Sequence, residues 1–269
     1  GLPVVIDKPL ALSVQEAREL LDASQAAQKP VIPFQNRRWD GDFLTVRQLI
    51  QDDWLGEIVR FESHFDRFRP TPKVAWREES DPAVGGGLLY DLGSHLIDQA
   101  IQLFGIPQTV YAELPNRRPG ALVDDDSFVA LACANGVIAH LSFSQIARIP
   151  GPRFVVRGMH GTYIKNGLDP QEAALQHGLR PGMPHWGEEP RELWGTMHTE
   201  RDGLTFEGII PTLPGAYERF YRQVAEMLTN GTPPPVTIEQ ALLTQRVIEA
   251  AQHSAQQHTS IQISAEGEL

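Results

Sequence analysis

The sequence predicts a mixed protein, in which a short α/β segment is followed by a larger α+β region with an antiparallel sheet. Residues 4–34 contain a strand, a helix and a strand, the order found in parallel sheets. Between residues 109 and 165, apolar runs of strand length follow one another across short connections, which favours antiparallel pairing. Helical patterns over residues 88–104, 217–228 and 239–257 supply the helices of this second region.

The first segment opens with the apolar run Val4–Ile6, which predicts a short buried strand. The capping box Ser13-Val14-Gln15-Glu16 predicts a helix that ends before Lys29-Pro30. Val31–Phe34 is a second run of strand length. The inward face of the helix is predicted to carry Val14, Ala17, Leu21 and Ser24. A glycine followed at once by an apolar run, as in residues 1–6, is typical of a helix end leading into a strand, so we expect the sequence to begin inside a domain.

The second region begins with a helical stripe over residues 43–50 that stops near Gly56. Ile58–Arg69 alternates between apolar and polar residues, which predicts a long strand with Phe61 and Phe65 on one face. Residues 70–87 and 166–204 are rich in Pro and Gly or polar, and we expect loop and irregular structure there. The remaining predicted strands are Thr109–Leu114, Phe128–Cys133, Val137–Phe143, Phe154–Arg157, Thr162–Lys165 and Ile261–Ile263.

Composition excludes several classes of function. A formal charge of −11 disfavours binding to nucleic acid, because a polyanion is repelled at long range. No apolar run reaches the roughly 20 residues that a membrane helix needs. The single cysteine, Cys133, cannot form an internal disulfide, which fits a reducing compartment, so we expect a cytoplasmic protein with no membrane partner.

The helix predicted over residues 88–104 carries the most informative pattern. It is apolar nearly all round and should be buried, but Asp91, His95, Asp98 and Gln102 fall within an arc of roughly 60°. A buried carboxylate needs partners, so this stripe must face a wet cavity or a satisfied polar network. Asp91 and His95, one turn apart, can converge on one small molecule, and a histidine beside a carboxylate can exchange a proton with an alcohol near neutral pH. Gly85, Gly86 and Gly87, just before the helix, permit close approach of a ligand or another backbone.

Two other interpretations of this stripe stay open. It can be a purely structural network that links core elements, since such networks also perturb titrating groups. It can also be a metal site, although no HExxH or paired-cysteine spacing accompanies it.

Asp7-Lys8-Pro9 follows the first predicted strand, and ligands of parallel sheets bind at such strand ends. Pro9 keeps Lys8 out of the helical region and so fixes its direction. An ammonium placed there could donate a hydrogen bond to a substrate oxygen and stabilise alkoxide character. The alternative is an exposed loop lysine with no such role.

Gln35-Asn36-Arg37-Arg38-Trp39 follows the second predicted strand. The paired arginines could clamp a polar ligand, or they could tie two domains together. Among weaker candidates, Asp124-Asp125-Asp126 lacks the spacing of a calcium loop and is interpreted as a solvated turn. We expect His64 and His140 to be structural, and no nucleophile-elbow pattern surrounds Ser94.

Together these segments resemble the Gfo/Idh/MocA oxidoreductase family over essentially the whole chain. The family's Glu-Lys-Pro motif is similar to Asp7-Lys8-Pro9, with Asp in place of the commoner Glu. Its Gly-Gly-Gly…Asp-x3-His-x2-Asp helix is similar to residues 85–98, and its segment linking two domains is similar to residues 36–39. Residues 67–70, Trp76-Arg77-Glu78 and residues 163–172 resemble the branch that contains NADP-dependent scyllo-inositol dehydrogenases.

The resemblance implies a Rossmann domain, of which residues 1–36 would be the carboxyl-terminal remnant, followed by a substrate-binding and oligomerisation domain over residues 37–269. The second domain would have an open, mostly antiparallel sheet covered by helices on one face, with a homodimer or homotetramer formed through the free face.

The resemblance also implies roles for individual residues. Lys8 and His95 would serve proton transfer, and Asp91 would orient or bind the substrate together with Asn36 and Arg37. Lys8 and Pro9 would contact the cofactor, NADP or NAD.

No glycine-rich dinucleotide loop occurs in the sequence, so we expect residues 1–269 alone not to bind the dinucleotide usefully. The first functional hypothesis is an NAD(P)-dependent dehydrogenase acting on a CH–OH group of a sugar or a cyclic polyol such as an inositol. The alternatives are a non-catalytic sugar or dinucleotide sensor on the same fold, and a metal-dependent lyase or hydrolase.

Overall fold

The computed structural model describes residues 1–72, 78 and 85–263, and these residues form two compact units. The first unit contains residues 1–35, 64–151 and the chain from 236 onward, and the second contains residues 36–63 and 152–235. Neither unit is a continuous piece of the chain. The predicted motif residues Trp76 and Arg77 lie outside the described residues.

The first unit opens with a parallel pair of strands, β1 (Val4–Asp7) and β2 (Val31–Phe34), joined by α1 (Val14–Ala27). Ser13 caps α1 as expected, because its hydroxyl accepts the N–H of Glu16. The prediction that the first strand is buried is wrong, since Val4 and Val5 are 48% and 42% exposed. The reason is that β1 pairs only with the short strand β2 within the described chain.

The first unit also contains an antiparallel part of the sheet. Its strand order is β6-β5-β4-β11. The connection between β5 and β6, residues 134–137, is short as the sequence predicts, whereas β4 and β5 are joined by the longer segment 114–125. The bounds are Pro107–Glu113 for β4, Asp126–Cys133 for β5, Ile138–Ser144 for β6 and Ile261–Gln262 for β11. Besides α1, this unit contains the helices α3 (Ser94–Phe104) and α6 (Ile238–Gln257), and a π turn (Leu89–Gly93) leads directly into α3.

The second unit carries strands in the order β10-β9-β8-β7-β3, all antiparallel. Strand β3 (Ile58–Asp66), of which residues 64–66 are assigned to the first unit, buries Phe61 and Phe65. The residues between these two phenylalanines are partly exposed or small, as the alternation predicts. The other bounds are Phe154–Gly158 for β7, Gly161–Lys165 for β8, Gly195–Arg201 for β9, Leu204–Ile210 for β10, Gly41–Gln51 for α2, Gln171–Gln176 for α4 and Glu218–Asn230 for α5.

The prediction that residues 166–204 are irregular is wrong in part. They contain α4, a 3-10 turn at Arg191–Leu193 and the whole of β9. Strand β9 buries Met197 and Thr199 alternately with exposed polar residues, so its polar composition conceals a regular strand. Within the described residues, no helix has both the length and the apolar character that a membrane span requires.

Candidate active site

Lys8 lies directly after β1, and its ammonium binds Asp91 on the π turn. The Nζ atom donates a hydrogen bond to the main-chain oxygen of Asp91 and forms an ion pair with Oδ1 at 3.1 Å. The two side chains are only 14% and 16% exposed. The structure therefore brings together two residues that lie 83 positions apart in the sequence, at the carboxyl end of a parallel strand.

The π turn directs Asp91 toward Lys8. The sequence predicts a regular α-helix from Leu88, but residues 89–93 form a wider π turn before α3 begins at Ser94. Contacts hold this turn on both sides: the Tyr90 hydroxyl donates to the main-chain oxygen of Leu12 at 2.9 Å, and Gly93 packs against Phe143 of β6. Such turns occur frequently at functional sites, because they redirect a side chain within a helix.

His95 lies in the first turn of α3, four residues after Asp91, and is 5% exposed. Asp98 follows on the same helix at 2% exposure, where its carboxylate accepts a hydrogen bond from Thr244 of α6 at 3.4 Å. The predicted polar stripe on a buried helix is thus present. An ammonium, a carboxylate and an imidazole lie on neighbouring elements, and these groups can bind hydroxyl groups and move protons.

Asp124 is a functional candidate that sequence reasoning missed. The interpretation of residues 124–126 as a solvated turn is wrong, because Asp125 is fully buried and Asp124 is partly buried. Asp125 accepts hydrogen bonds from the Arg118 side chain and from two main-chain N–H groups. Asp124 accepts the N–H of Leu89 at 2.9 Å, at the start of the π turn. Three consecutive aspartates resemble a hydrated loop in sequence, and only the fold reveals their partners.

Arg37 lies in the second unit, where it is 7% exposed. Its guanidinium forms ion pairs with Asp40 at 3.2 Å and with Glu172 at 2.7 Å. Burial alone would lower the pKa of Arg37, but Asp40, Tyr217 and Glu172 together raise it above its ordinary value. Asn36 begins the 3-10 turn that carries Arg37. Their predicted part in substrate binding stays a prediction.

The second unit also contains a buried charge pair that the sequence does not indicate. Arg153 and Asp42 are 1% and 0% exposed and lie 3.1 Å apart, and Arg153 also donates to Ser63 at 2.6 Å. We interpret this pair as structural, because burying one charge requires its partner.

The remaining candidates, His64 and His140, make contacts that we interpret as structural. His64 lies 3.8 Å from Asp66, and His140 packs edge-on against Phe128 at 5.4 Å between ring centres. In the part of the chain that the structure describes, no group of three or more His, Cys, Asp or Glu residues is arranged to hold a metal ion.

Comparisons with known proteins show which family the chain belongs to. Residues 47–263 match the family model described as "Oxidoreductase family, C-terminal alpha/beta domain" of the Gfo/Idh/MocA proteins. The uncharacterised oxidoreductase YdgJ of Escherichia coli (strain K12) is 37% identical over 97% of this chain and 74% of its own length. The scyllo-inositol 2-dehydrogenase (NADP(+)) IolW of Bacillus subtilis (strain 168) is 35% identical over 98% of this chain and 73% of its own length.

A solved structure agrees with these relatives. The yvaA protein of Bacillus subtilis superimposes with a TM-score of 0.92 at 34% identity, over 97% of this chain and 74% of that one. The family model and this structure show an oxidoreductase with a mixed α/β architecture and a large, mostly antiparallel sheet. The chain belongs to the Gfo/Idh/MocA family.

Proposed function

We propose that the intact protein transfers hydride between NADP or NAD and a CH–OH group of a sugar or a cyclic polyol such as an inositol. The observation that carries this proposal is the Lys8–Asp91 pair at the end of a parallel strand, with His95 one turn further along the same helix. The similarity to IolW, which is named as a scyllo-inositol dehydrogenase using NADP(+), supports the substrate class and the cofactor.

The side chains of the site fit a bound dinucleotide. Ammonium, carboxylate and imidazole groups can move a proton, but none can accept a hydride, so the reaction needs a carrier. NADP or NAD would supply that hydride chemistry when bound. Lys8 and Pro9, at the end of β1, are the residues that would contact it, because strand ends of parallel sheets are where such ligands bind.

The residues of the site have distinct tasks in this proposal. His95 takes the proton of the reacting hydroxyl, since an imidazole can exchange a proton near neutral pH. The Lys8 ammonium donates a hydrogen bond to the same oxygen and stabilises the negative charge that develops there. Asp91 holds Lys8 in place through two contacts and accepts hydrogen bonds from neighbouring hydroxyls.

Turnover tests this assignment directly. We expect the intact protein to change the absorbance at 340 nm when it is given NADP or NAD with inositols or aldoses. Lys8→Ala should lower kcat by on the order of 100-fold or more, because it removes charge stabilisation at the reacting oxygen.

Lys29→Ala is the matched control, since Lys29 is an exposed lysine at the end of α1, away from β1's carboxyl end. Unchanged turnover in Lys8→Ala would remove Lys8 from the mechanism. Binding of a polyol without turnover, with either dinucleotide, would favour the sensor alternative.

A further inference from the structure

The helix that carries Asp91 and His95 is capped by a side chain from a distant loop. Asp124 lies between β4 and β5, and its main-chain oxygen accepts the N–H of Leu88 at 3.1 Å. Its carboxylate oxygen Oδ2 accepts the N–H of Leu89 at 2.9 Å. The first N–H groups of a helix have no partner within the helix, so Asp124 supplies two of the acceptors they need.

Two further contacts fix the Asp124 carboxylate. The Ser127 hydroxyl donates to the same Oδ2 at 2.7 Å. On the other side, a Cβ atom built on Gly87 would lie 2.0 Å from Oδ1, and Gly87 has a φ of +97°. Only glycine leaves room for the carboxylate in this position and adopts this backbone conformation without strain.

The hydrogen bond between Asp124 and the N–H of Leu89 lies close in the chain to Asp91. Asp91 lies two residues after Leu89 in the same π turn, and its own N–H donates to Gly87 at 3.1 Å. Both Asp91 atoms that Lys8 binds, the main-chain oxygen and Oδ1, move with this turn. The position where the turn begins therefore determines where Lys8 and Asp91 meet.

We propose that Asp124 is a positioning residue, which holds the start of the π turn and thereby keeps Asp91 against Lys8. The catalytic consequence rests on the proposed function, but the contacts of Asp124 with Leu88 and Leu89 do not. A cap with a purely structural role would stabilise the whole unit without a selective effect on Lys8.

The reactivity of the Lys8 amine tests this without any turnover. The intact protein is treated with limiting acetic anhydride, and acetylation of each lysine is measured by peptide mass spectrometry. We expect Lys8 to react about 3- to 10-fold faster in Asp124→Ala than in the wild type, because the amine loses well-placed acceptors on Asp91. Asp124→Asn should restore the slow rate, because the amide oxygen can still accept the N–H of Leu89.

Two controls define a selective effect. Ser127→Ala removes the second donor to the carboxylate but leaves the contact with Leu89, so Lys8 should react as in the wild type. Lys29, which is exposed just after α1, is an internal reference whose rate should stay constant. If Asp124→Ala does not fold, Asp124→Glu replaces it, since the longer side chain moves the carboxylate off Leu89 and should give the same selective rise.

Equal Lys8 rates in the folded Asp124 variants and the wild type would overturn the proposal, as would a rise that Asp124→Asn shares with Asp124→Ala. In protein that turns over, Asp124→Ala should lower kcat by on the order of 10- to 100-fold without changing the KM for the dinucleotide. Absence of turnover in the wild type would contradict the proposed function and leave the labelling result to decide the role of Asp124.

Discussion

At the scale of single residues, burial of the Asp124 carboxylate lowers the free energy of unfolding, while the same carboxylate holds the start of the π turn that carries Asp91. Burial raises its pKa to about 6, although hydrogen bonds from Ser127 and from the N–H of Leu89 act in the opposite direction, and Asp125 adds to the rise. A raised pKa means that the folded protein binds the proton more tightly than the unfolded chain does. The contribution of protonated Asp124 to stability is therefore fully present below pH 3.8 and is lost as the pH rises through about 6.

Asp124→Asn should change this pH dependence in a defined direction. Asparagine resembles the protonated carboxyl group and carries no charge at any pH. Between pH 4 and pH 7, the free energy of unfolding of Asp124→Asn should rise relative to the wild type by about 1–3 kcal/mol, a range that allows for partial solvent exposure. Urea unfolding at several pH values measures the difference.

Asp126→Asn is the matched control for this experiment, because it makes the same change in a partly buried aspartate two positions away. A difference between Asp124→Asn and the wild type that stays constant from pH 4 to pH 7 would show that Asp124 has an ordinary pKa.

How far single residues could be predicted depends on their distance in sequence from their partners. Asp91 and His95 follow from helical spacing alone, and Lys8 follows from its place after a strand. The partner of Asp124 lies 35 residues away, and the pairing of Lys8 with Asp91 spans 83 residues. Such contacts depend on tertiary packing, and no local pattern indicates them.

At the scale of elements, the spacing of hydrophobic residues predicts most helices and strands of the described chain. The predicted ends of these elements differ from the observed ends by a few residues. Strands β4 to β8 were expected from alternation and turn spacing, and α3 and α6 from helical spacing. The π turn could not be expected, because its sequence fits an ordinary helix equally well. Strand β9 escapes detection because its outward residues are polar and its inward residues include a glycine and a threonine.

The start of α6 offers a test of local stabilisation. Thr237 and Gln240 form a complete capping box, in which each side chain accepts the other's main-chain N–H at 3.3 Å. Thr237→Ala should lower the free energy of unfolding by about 1 kcal/mol, because it leaves a helix N–H without its acceptor. Thermal or urea unfolding measures the loss.

Thr229→Ala is the matched control, since the exposed Thr229 hydroxyl only donates back to Ala225 within α5. Its effect should stay within about 0.5 kcal/mol. Equal losses in the two variants would mean that the capping box contributes nothing beyond a generic threonine.

At the scale of the whole molecule, both units are discontinuous in the chain. The two segments of the second unit, 36–63 and 152–235, are separated by residues 64–151 of the first unit. If the first unit unfolded alone, the second would have to hold its two segments together across a long flexible loop. Closing such a loop costs about 4 kcal/mol, a large fraction of the stability of an ordinary domain.

We therefore expect one cooperative unfolding transition for the two units. Four of the five tryptophans, Trp39, Trp54, Trp186 and Trp194, belong to the second unit, so fluorescence in a Trp76→Phe background follows that unit. Pulsed amide exchange of α6 follows the first unit. Because loop closure couples the two segments of the second unit to the fold of the first, the two probes should give the same urea midpoint and slope. A fluorescence transition that is complete while α6 is still protected, or the reverse, would show that one unit unfolds without the other.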